Sequence, residues 1–500
     1  MIDVNIRKSG TGRPAPRPHA ARRRLLPWLA LALAAPALAQ PVAPAPAVPE
    51  AAAPAPAASA AATPVPASAA AAPDALTGSV TDDSAWQSLG IDIPAFATDA
   101  DKPTPASVDG SSGLGTAALG RAIAEVITAD LRNNGLFKPV GPNALPQVPF
   151  AEVAAPDFAG WAGRNAGMLV QGAVVAGTDG SLDVGCGLYD VRLQQQLIRT
   201  SLTLPPADWR RAAHKCADTI YSRLSGESPF FDSRIAYIAE TGPKDHRMKR
   251  LAIMDSDGAN HRFITTGQAM ALTPRYSPDY RSIAYLSYLD GEPRLYIYDI
   301  ATNHQRLLVA THHPTFAPRW SPDGKFLLYS MAIAGNTNIY RIPVDGGPSQ
   351  QLTDTPGINI GGSYAPDGKR IVFESDRSGS QQVYVMNADG SNQRRISFFG
   401  GRAATPEWSP RGDLIAFTHI AGNLRIAVMT PDGSAMRYLT DSWQDEAPTW
   451  SPNGRIVQFF RTAQGSGHTS IWQVDLTGHN LRRLPTPVDA SDPAWGPVRP

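Results

Sequence analysis

The sequence predicts a six-bladed β-propeller of four-stranded blades, preceded by a small α/β domain. Three observations carry that reading. First, one phrase recurs through the C-terminal half: Tyr276-Ser-Pro-Asp, Trp320-Ser-Pro-Asp-Gly, Tyr364-Ala-Pro-Asp-Gly, Trp408-Ser-Pro-Arg-Gly, Trp450-Ser-Pro-Asn-Gly and a worn Trp495-Gly-Pro. Second, its copies start 44, 44, 44, 42 and 45 residues apart, which is the period of one propeller blade. Third, the filling between copies is strand-like, whereas helix-period segments fall between residues 117 and 224.

At the N-terminus, Arg7, Lys8, Arg13, Arg17 and Arg22-Arg23-Arg24 precede an apolar run from Leu25 to Ala35. That run is shorter than the roughly 20 residues a membrane-spanning helix needs. Ala37-Leu38-Ala39 is an A-x-A cleavage site, so residues 1–39 read as a secretory signal peptide cut between Ala39 and Gln40. Export out of the cytoplasm is the expectation, and no later segment is long and apolar enough to span a bilayer. Residues 40–75 form an Ala/Pro-rich spacer, which proline density drives towards extended polyproline II. It has almost nothing to bury and is expected to be disordered. A tether across an envelope space and a tolerated low-complexity insertion are both open readings.

The chain has 45 basic and 44 acidic side chains, a net charge of +1, and no Lys/Arg-rich block after residue 24. A nucleic-acid partner is not expected. Two cysteines exclude a disulfide scaffold and a multi-cysteine metal site.

Residues 76–228 read as the α/β domain. Ser88–Phe96 is a short strand. Ala117–Asn134 is a helix whose Leu119, Ile123, Val126, Ile127 and Leu131 share one face, with Gly135 as its stop. Strands follow over Met168–Val175, Ser181–Val191 and 193–203, then a second amphipathic helix over Asp208–Leu224, closed by Gly226. Cys186 faces the core side of its strand and Cys216 the core stripe of the last helix. A disulfide and two separate buried thiols both fit. Gly113-Leu-Gly115-Thr-Ala-Ala118 matches G-x-G-x-x-A, but no strand precedes it, so it reads as a loop rather than a dinucleotide site.

Residues 229–500 read as the propeller. In each repeat a short strand ends in the aromatic residue, Ser-Pro-Asp-Gly makes a type I turn, and three further strands follow. The fourth is expected to end in Leu-Thr, as at Leu352-Thr353 and Leu439-Thr440. The first unit, Ser233–Thr265, lacks a Trp-Ser-Pro strand, while Trp495 has no strands after it. The segment Pro493–Trp495 should therefore close the first blade as its innermost strand. The six ring aromatics are expected to pack between blades. Their neighbours Arg275, Arg319, Ser363, Glu407, Thr449 and Ala494 are candidates to line a solvated central channel, where a cation has room to bind.

Reactive motifs are not found. The G-x-S-x-G of a fused hydrolase domain, the S-x-D-x-G-x-T-W turns of sialidases, H-E-x-x-H and a P-loop are all absent from the sequence. His312-His313 is a poor metal pair from adjacent extended positions, and Asp445-Glu446 reads as a solvated loop pair. No catalysis and no cofactor are expected. Binding remains: the loops leading into the first strands converge at one mouth of the ring. They carry Met270-Ala-Leu272, Pro314-Thr-Phe316, Ile358-Asn-Ile360 and Phe398-Phe399, which are apolar for exposed loops.

Together with the segments Ala129-Asp-Leu-Arg-Asn-Asn-Gly-Leu-Phe137, Ser233-Arg-Ile-Ala-Tyr-Ile238 and the terminal Pro-Ala-Trp-Gly-Pro, this organisation resembles the TolB family of Tol-Pal envelope proteins over about residues 76–500. The resemblance implies a monomeric periplasmic adaptor without catalysis. Its propeller mouth would hold the peptidoglycan-associated lipoprotein Pal, and its mature N-terminal region would engage TolA, in support of outer-membrane integrity and constriction at division. The implied lipoprotein contacts fall near Pro314, Ala317 and Ile360, where the family carries His and Thr in place of Pro314 and Ile360. Candidate mouth residues are Met270, Leu272, His313, Pro314, Thr315, Phe316, Ala317, Asn359, Ile360, Arg402 and Glu446. The TolA-binding segment is either Gln40 onward or Leu76–Asp83, with Leu76, Val80, Asp82 and Asp83 as candidates. A periplasmic hydrolase or lactonase using a channel-bound cation is the competing reading.

Overall fold

A computed structural model describes residues 89–104, 113–243 and 246–500. The cleavage site at Ala39 and Gln40, the Ala/Pro spacer, and Leu76, Val80, Asp82 and Asp83 lie outside the described residues. Among the described residues, no helix is long and apolar enough to cross a membrane.

The N-terminal domain runs β1 (Leu89–Asp92), α1 (Thr116–Asn133), β2 (Phe137–Val140), α2 (Phe158–Gly163), β3 (Met168–Ala176), β4 (Leu182–Asp190), β5 (Gln195–Leu204) and α3 (Trp209–Ser225). Its sheet has the order β2-β1-β3-β4-β5. β1 pairs in parallel with both neighbours, and the pairs β3–β4 and β4–β5 are antiparallel. The apolar stripe of α1 is buried as its 3- and 4-residue spacing requires, and Gly226 ends α3 in the left-handed conformation at φ 72°. Cys186 on β4 and Cys216 on α3 are joined in a disulfide, with Cα atoms 6.2 Å apart.

Two elements escape the sequence pattern. β2 has four residues with Pro139 among them, too short to show alternation. α2 has six, started by Asp157, whose carboxylate accepts the Gly160 N–H at 3.0 Å. The G-x-G-x-x-A segment leads into α1. At that helix start Asp101 accepts the Ala117 N–H at 3.0 Å, occupying the place where a pyrophosphate would sit.

Six four-stranded antiparallel sheets form the propeller. Blade I combines Asp489–Val498 with Ser233–Thr241, Met248–Asp255 and Arg262–Phe263, with Trp495 opposite Ile235 and Asp489 opposite Glu240. The C-terminal segment therefore closes the ring as its repeat count requires. The first strands of blades II to VI are Ala271–Tyr276, Thr315–Trp320, Asn359–Tyr364, Arg402–Trp408 and Asp445–Trp450. First strands of successive blades touch one another, which places them innermost.

The fourth strands are shorter than expected. Gln350–Gln351 and Arg437–Tyr438 end before the Leu-Thr pairs. Leu352 and Leu439 leave the ladder to be buried, and the Thr353 and Thr440 hydroxyls accept the N–H groups of Ile339 and Ile426 on the third strands. A side chain thus replaces a backbone acceptor, and the exposed edge stays very short.

Two further sixfold repeats appear. Tyr237, Tyr285, Tyr329, Phe373, Phe417 and Phe459 hold the same second-strand position and are 0–1 % exposed. In every first strand the register shifts beside a residue with positive φ: Thr273, Ala317, Gly361, Thr405, Ala447 and Asp492, at 46–70°. Each is a β-bulge that re-aims the strand.

The two domains share one core. A single buried cluster runs from Ile123, Cys216 and Tyr221 in the α/β domain to Tyr237, Ile471 and Trp495 in the propeller. Asp218 on α3 fixes the connecting segment. Its carboxylate accepts the N–H groups of Phe230, Phe231 and Asp232 at 2.7, 2.7 and 2.9 Å. Arg455 and Arg411, on two Ser-Pro turns, both pair with Glu227.

Candidate functional site

Each first strand runs from the loop that enters it to the turn carrying Ser-Pro or its variant. The entering loops therefore gather at one mouth of the ring and the turns at the other. At the loop mouth, strand alternation sorts the candidates. The residue five before each ring aromatic points into its blade: Ala271, Thr315, Asn359, Ala403, Asp445 and Ala490 are all 0–1 % exposed. Thr315 and Asn359, expected at the surface, are thus internal. Asn359 Nδ2 donates to the carbonyls of Thr337 and Thr355, and its Oδ1 accepts from Ser375 and Arg377. Leu272 is a third correction. It is 6 % exposed and packs with Ala284 and Leu286, because the apolar gap between blades II and III takes it up.

The rest of the set stays accessible. Met270 is 39 % exposed, and His313 and Pro314 are exposed. Phe316, Ala317, Ile360, Arg402 and Glu446 are half-buried. Phe316 rests one side against the core between blades II and III. Arg402 donates to Gln381 Oε1 at 3.4 Å, and Glu446 accepts from Gln444 at 2.7 Å. Phe398 and Phe399 divide. Phe398 is 77 % exposed, whereas Phe399 stacks on Phe417 at 5.3 Å and serves as a cap. Trp443 and Leu289, 48 % and 46 % exposed on loops of the same mouth, escaped the sequence reading. Single apolar residues in polar loops carry no periodic signal.

Acids lie in and beneath this surface, with Glu374 and Asp445 fully buried. Burial pushes the Glu374 carboxyl up to about 7, against the Thr405 N–H at 2.8 Å and the Gln381 amide at 3.0 Å. Burial also raises Glu446. Asp445 is held by both Arg461 Nε and Nη2, at 2.6 and 2.9 Å.

His214, Asp255 and Asp257 form a group with ligand-type atoms within 4.8 Å of one another, at the interface between α3 and blade I. Both carboxylates are already engaged. Asp255 is met by Asn260 at 2.7 Å and Arg234 at 3.2 Å, and Asp257 by Arg210. His214 Nδ1 lies 2.7 Å from Asp130 Oδ2. Burial opposes the charge on His214, but Asp130, then Asp257 and Asp255, outweigh it and raise the imidazole to about 9. Burial also raises Asp130. With two further carboxylates facing the ring, the protonated imidazole is the favoured state of His214. This cluster is an ion-pair joint between the domains.

With this geometry in place, the chain can be set against known proteins. Residues 91–197 match the family model for the TolB amino-terminal domain, and residues 221–499 that for the TolB beta propeller domain. The Tol-Pal system protein TolB 1 of Novosphingobium aromaticivorans is 72 % identical over 425 residues, covering 85 % of this chain and 93 % of that protein. This chain belongs to the TolB family of the Tol-Pal system. The TolB protein of Zymomonas mobilis is 59 % identical over 425 residues, 85 % of this chain and 90 % of that protein. The crystal structure of TolB from Acinetobacter baumannii superposes with a TM-score of 0.70 at 26 % identity, covering 82 % of this chain and 97 % of that one. TolB membership accounts for the α/β-plus-propeller order.

Proposed function

We propose that this TolB-family chain is a non-catalytic periplasmic adaptor. Its loop mouth holds the peptidoglycan-associated lipoprotein Pal, and its N-terminal region engages TolA, linking the two during outer-membrane maintenance and division. The observation that supports the mouth as the docking face is the accumulation there of Met270, Phe316, Ile360, Phe398 and Trp443, apolar side chains left accessible around one opening. Family membership supports the choice of partner. Pull-down from an envelope extract tests it. Recovery of a peptidoglycan-bound lipoprotein by the wild type is expected to fall at least tenfold with Ile360→Asp and Phe398→Asp. Unchanged recovery with both moves the interface elsewhere. Phe316→Asp should act in the same direction, with a melting curve to separate lost binding from lost packing. A small-ester screen with and without divalent metal checks the non-catalytic half, and metal-dependent turnover would overturn it.

A further inference from the structure

The opposite mouth, where the turns gather, is built differently. Six prolines, Pro278, Pro322, Pro366, Pro410, Pro452 and Pro497, and the six ring aromatics surround a vestibule of about 400 Å³, a size that suits a small ligand. The aromatic walls are fixed: the Trp320 and Trp450 indole N–H groups donate to the carbonyls of Arg275 and Glu407 on the preceding blades, at 3.0 and 3.1 Å. One residue deeper, the charged groups lining the vestibule are Arg275, Arg319 and Glu407.

Their hydrogen bonds do not balance. Glu407 is fully used: Oε1 accepts from the Thr449 hydroxyl at 2.9 Å and the Trp450 N–H at 3.3 Å, and Oε2 faces Arg319 at 3.4 Å. Arg319 has that one carboxylate and the Pro318 carbonyl. Among the described residues, Arg275 reaches only the Pro274 carbonyl and makes no ion pair. Among the described residues, the Nε–H groups of both arginines are buried without a partner. Burial, and then the neighbouring Arg275 charge, push Arg319 down to about 9. Asp492, the other acid whose field reaches both guanidiniums, does not line the vestibule, and its carboxylate is held by the Thr273 N–H at 3.2 Å.

We propose that this vestibule is a binding site for a carboxylate carried on a small apolar body, such as the free C-terminal end of a peptide. The planar forks of two guanidiniums suit the two oxygens of a carboxylate, and proline and tryptophan surfaces suit the apolar body. A half-buried Arg275 and a buried Arg319, with one committed glutamate lining the same vestibule, favour an incoming anion and disfavour a cation.

The probe is N-acetyl-phenylalanine, with its amide as the uncharged control, titrated into the mature chain by calorimetry and tryptophan fluorescence. The acid is expected to bind saturably and at least tenfold more tightly than the amide. Arg275→Gln is expected to weaken the acid at least tenfold without moving the amide. Arg275→Lys keeps the charge and should retain part of the affinity, and Glu407→Gln should tighten binding. Melting curves establish that each variant is folded. Equal binding of acid and amide, or an unaltered affinity in folded Arg275→Gln, overturns the proposal. Tighter binding of acetate or chloride than of N-acetyl-phenylalanine also overturns it, by assigning the site to a bare anion. Phe316→Asp at the other mouth should leave this binding unchanged, so failure of either reading is distinguishable from failure of the other.

Discussion

His214 carries a pH dependence whose sign follows from its surroundings. The ring is fully buried between Asp130 of α1 and Asp255 and Asp257 of blade I, with Arg210 and Arg482 alongside. Its folded pKa of about 9 lies above the unfolded value of 6.5. Protonation therefore favours the folded state. The stabilisation is fully present below about pH 6.5 and is lost as pH rises through about 9. His214→Gln should lower the melting temperature most at pH 6 and progressively less towards pH 10. A gap between wild type and variant that stays constant over that range would show that the imidazole does not change charge. At the same scale, mixed chemistry hid the inward positions of the mouth, Thr315 and Asn359 among them, from sequence reasoning. The inward position five before each aromatic holds Ala, Thr, Asn, Ala, Asp and Ala, which share no property except their burial.

Among the elements, the innermost strand of blade I and the six bulges lead to separate expectations. Removing Pro493–Pro500 deletes Trp495, which packs against Phe230 and donates its indole N–H to Ser233 Oγ at 2.8 Å. It also deletes Arg499, which pairs with the buried Asp232. The truncated chain should lose its cooperative melting transition, and a transition matching full length would refute this closure. The bulge at Ala447 holds an L-residue in the left-handed region at φ 53°. Blade IV uses Gly361 at the equivalent place. Ala447→Gly should therefore stabilise by about 0.5 kcal/mol, while Gly361→Ala should cost about 1 kcal/mol, both measurable by denaturant titration. Repeat spacing made the blades and their closure legible, since six aromatics were set against five complete strand sets. The bulges were not legible, because Thr, Ala, Gly, Thr, Ala and Asp share no turn chemistry. The second-strand aromatics were legible in principle, as in Ile283-Ala-Tyr285, but the louder Trp-Ser-Pro phrase masked them.

For the whole molecule, the shared core implies that the α/β domain and the ring unfold together. Asp218 is where this coupling is most concentrated. Asp218→Ala strands three buried N–H groups and should cost on the order of 3 kcal/mol. It should also split one calorimetric transition into two, because the connecting segment loses its anchor. A single transition at unchanged temperature would mean that apolar contact alone holds the domains. The disulfide shows what a sequence withholds at this scale. Cys186 and Cys216 both had core-facing positions, but only the packing of α3 over β4 decided that they meet.

The pairing of Asp489 with Glu240 has a temporal side. Synthesis delivers Glu240 some 250 residues before Asp489, so blade I stays one strand short until Asp489–Val498 has been made. Any recognition that depends on the closed ring would wait for that strand, and would thereby report that the ring is finished.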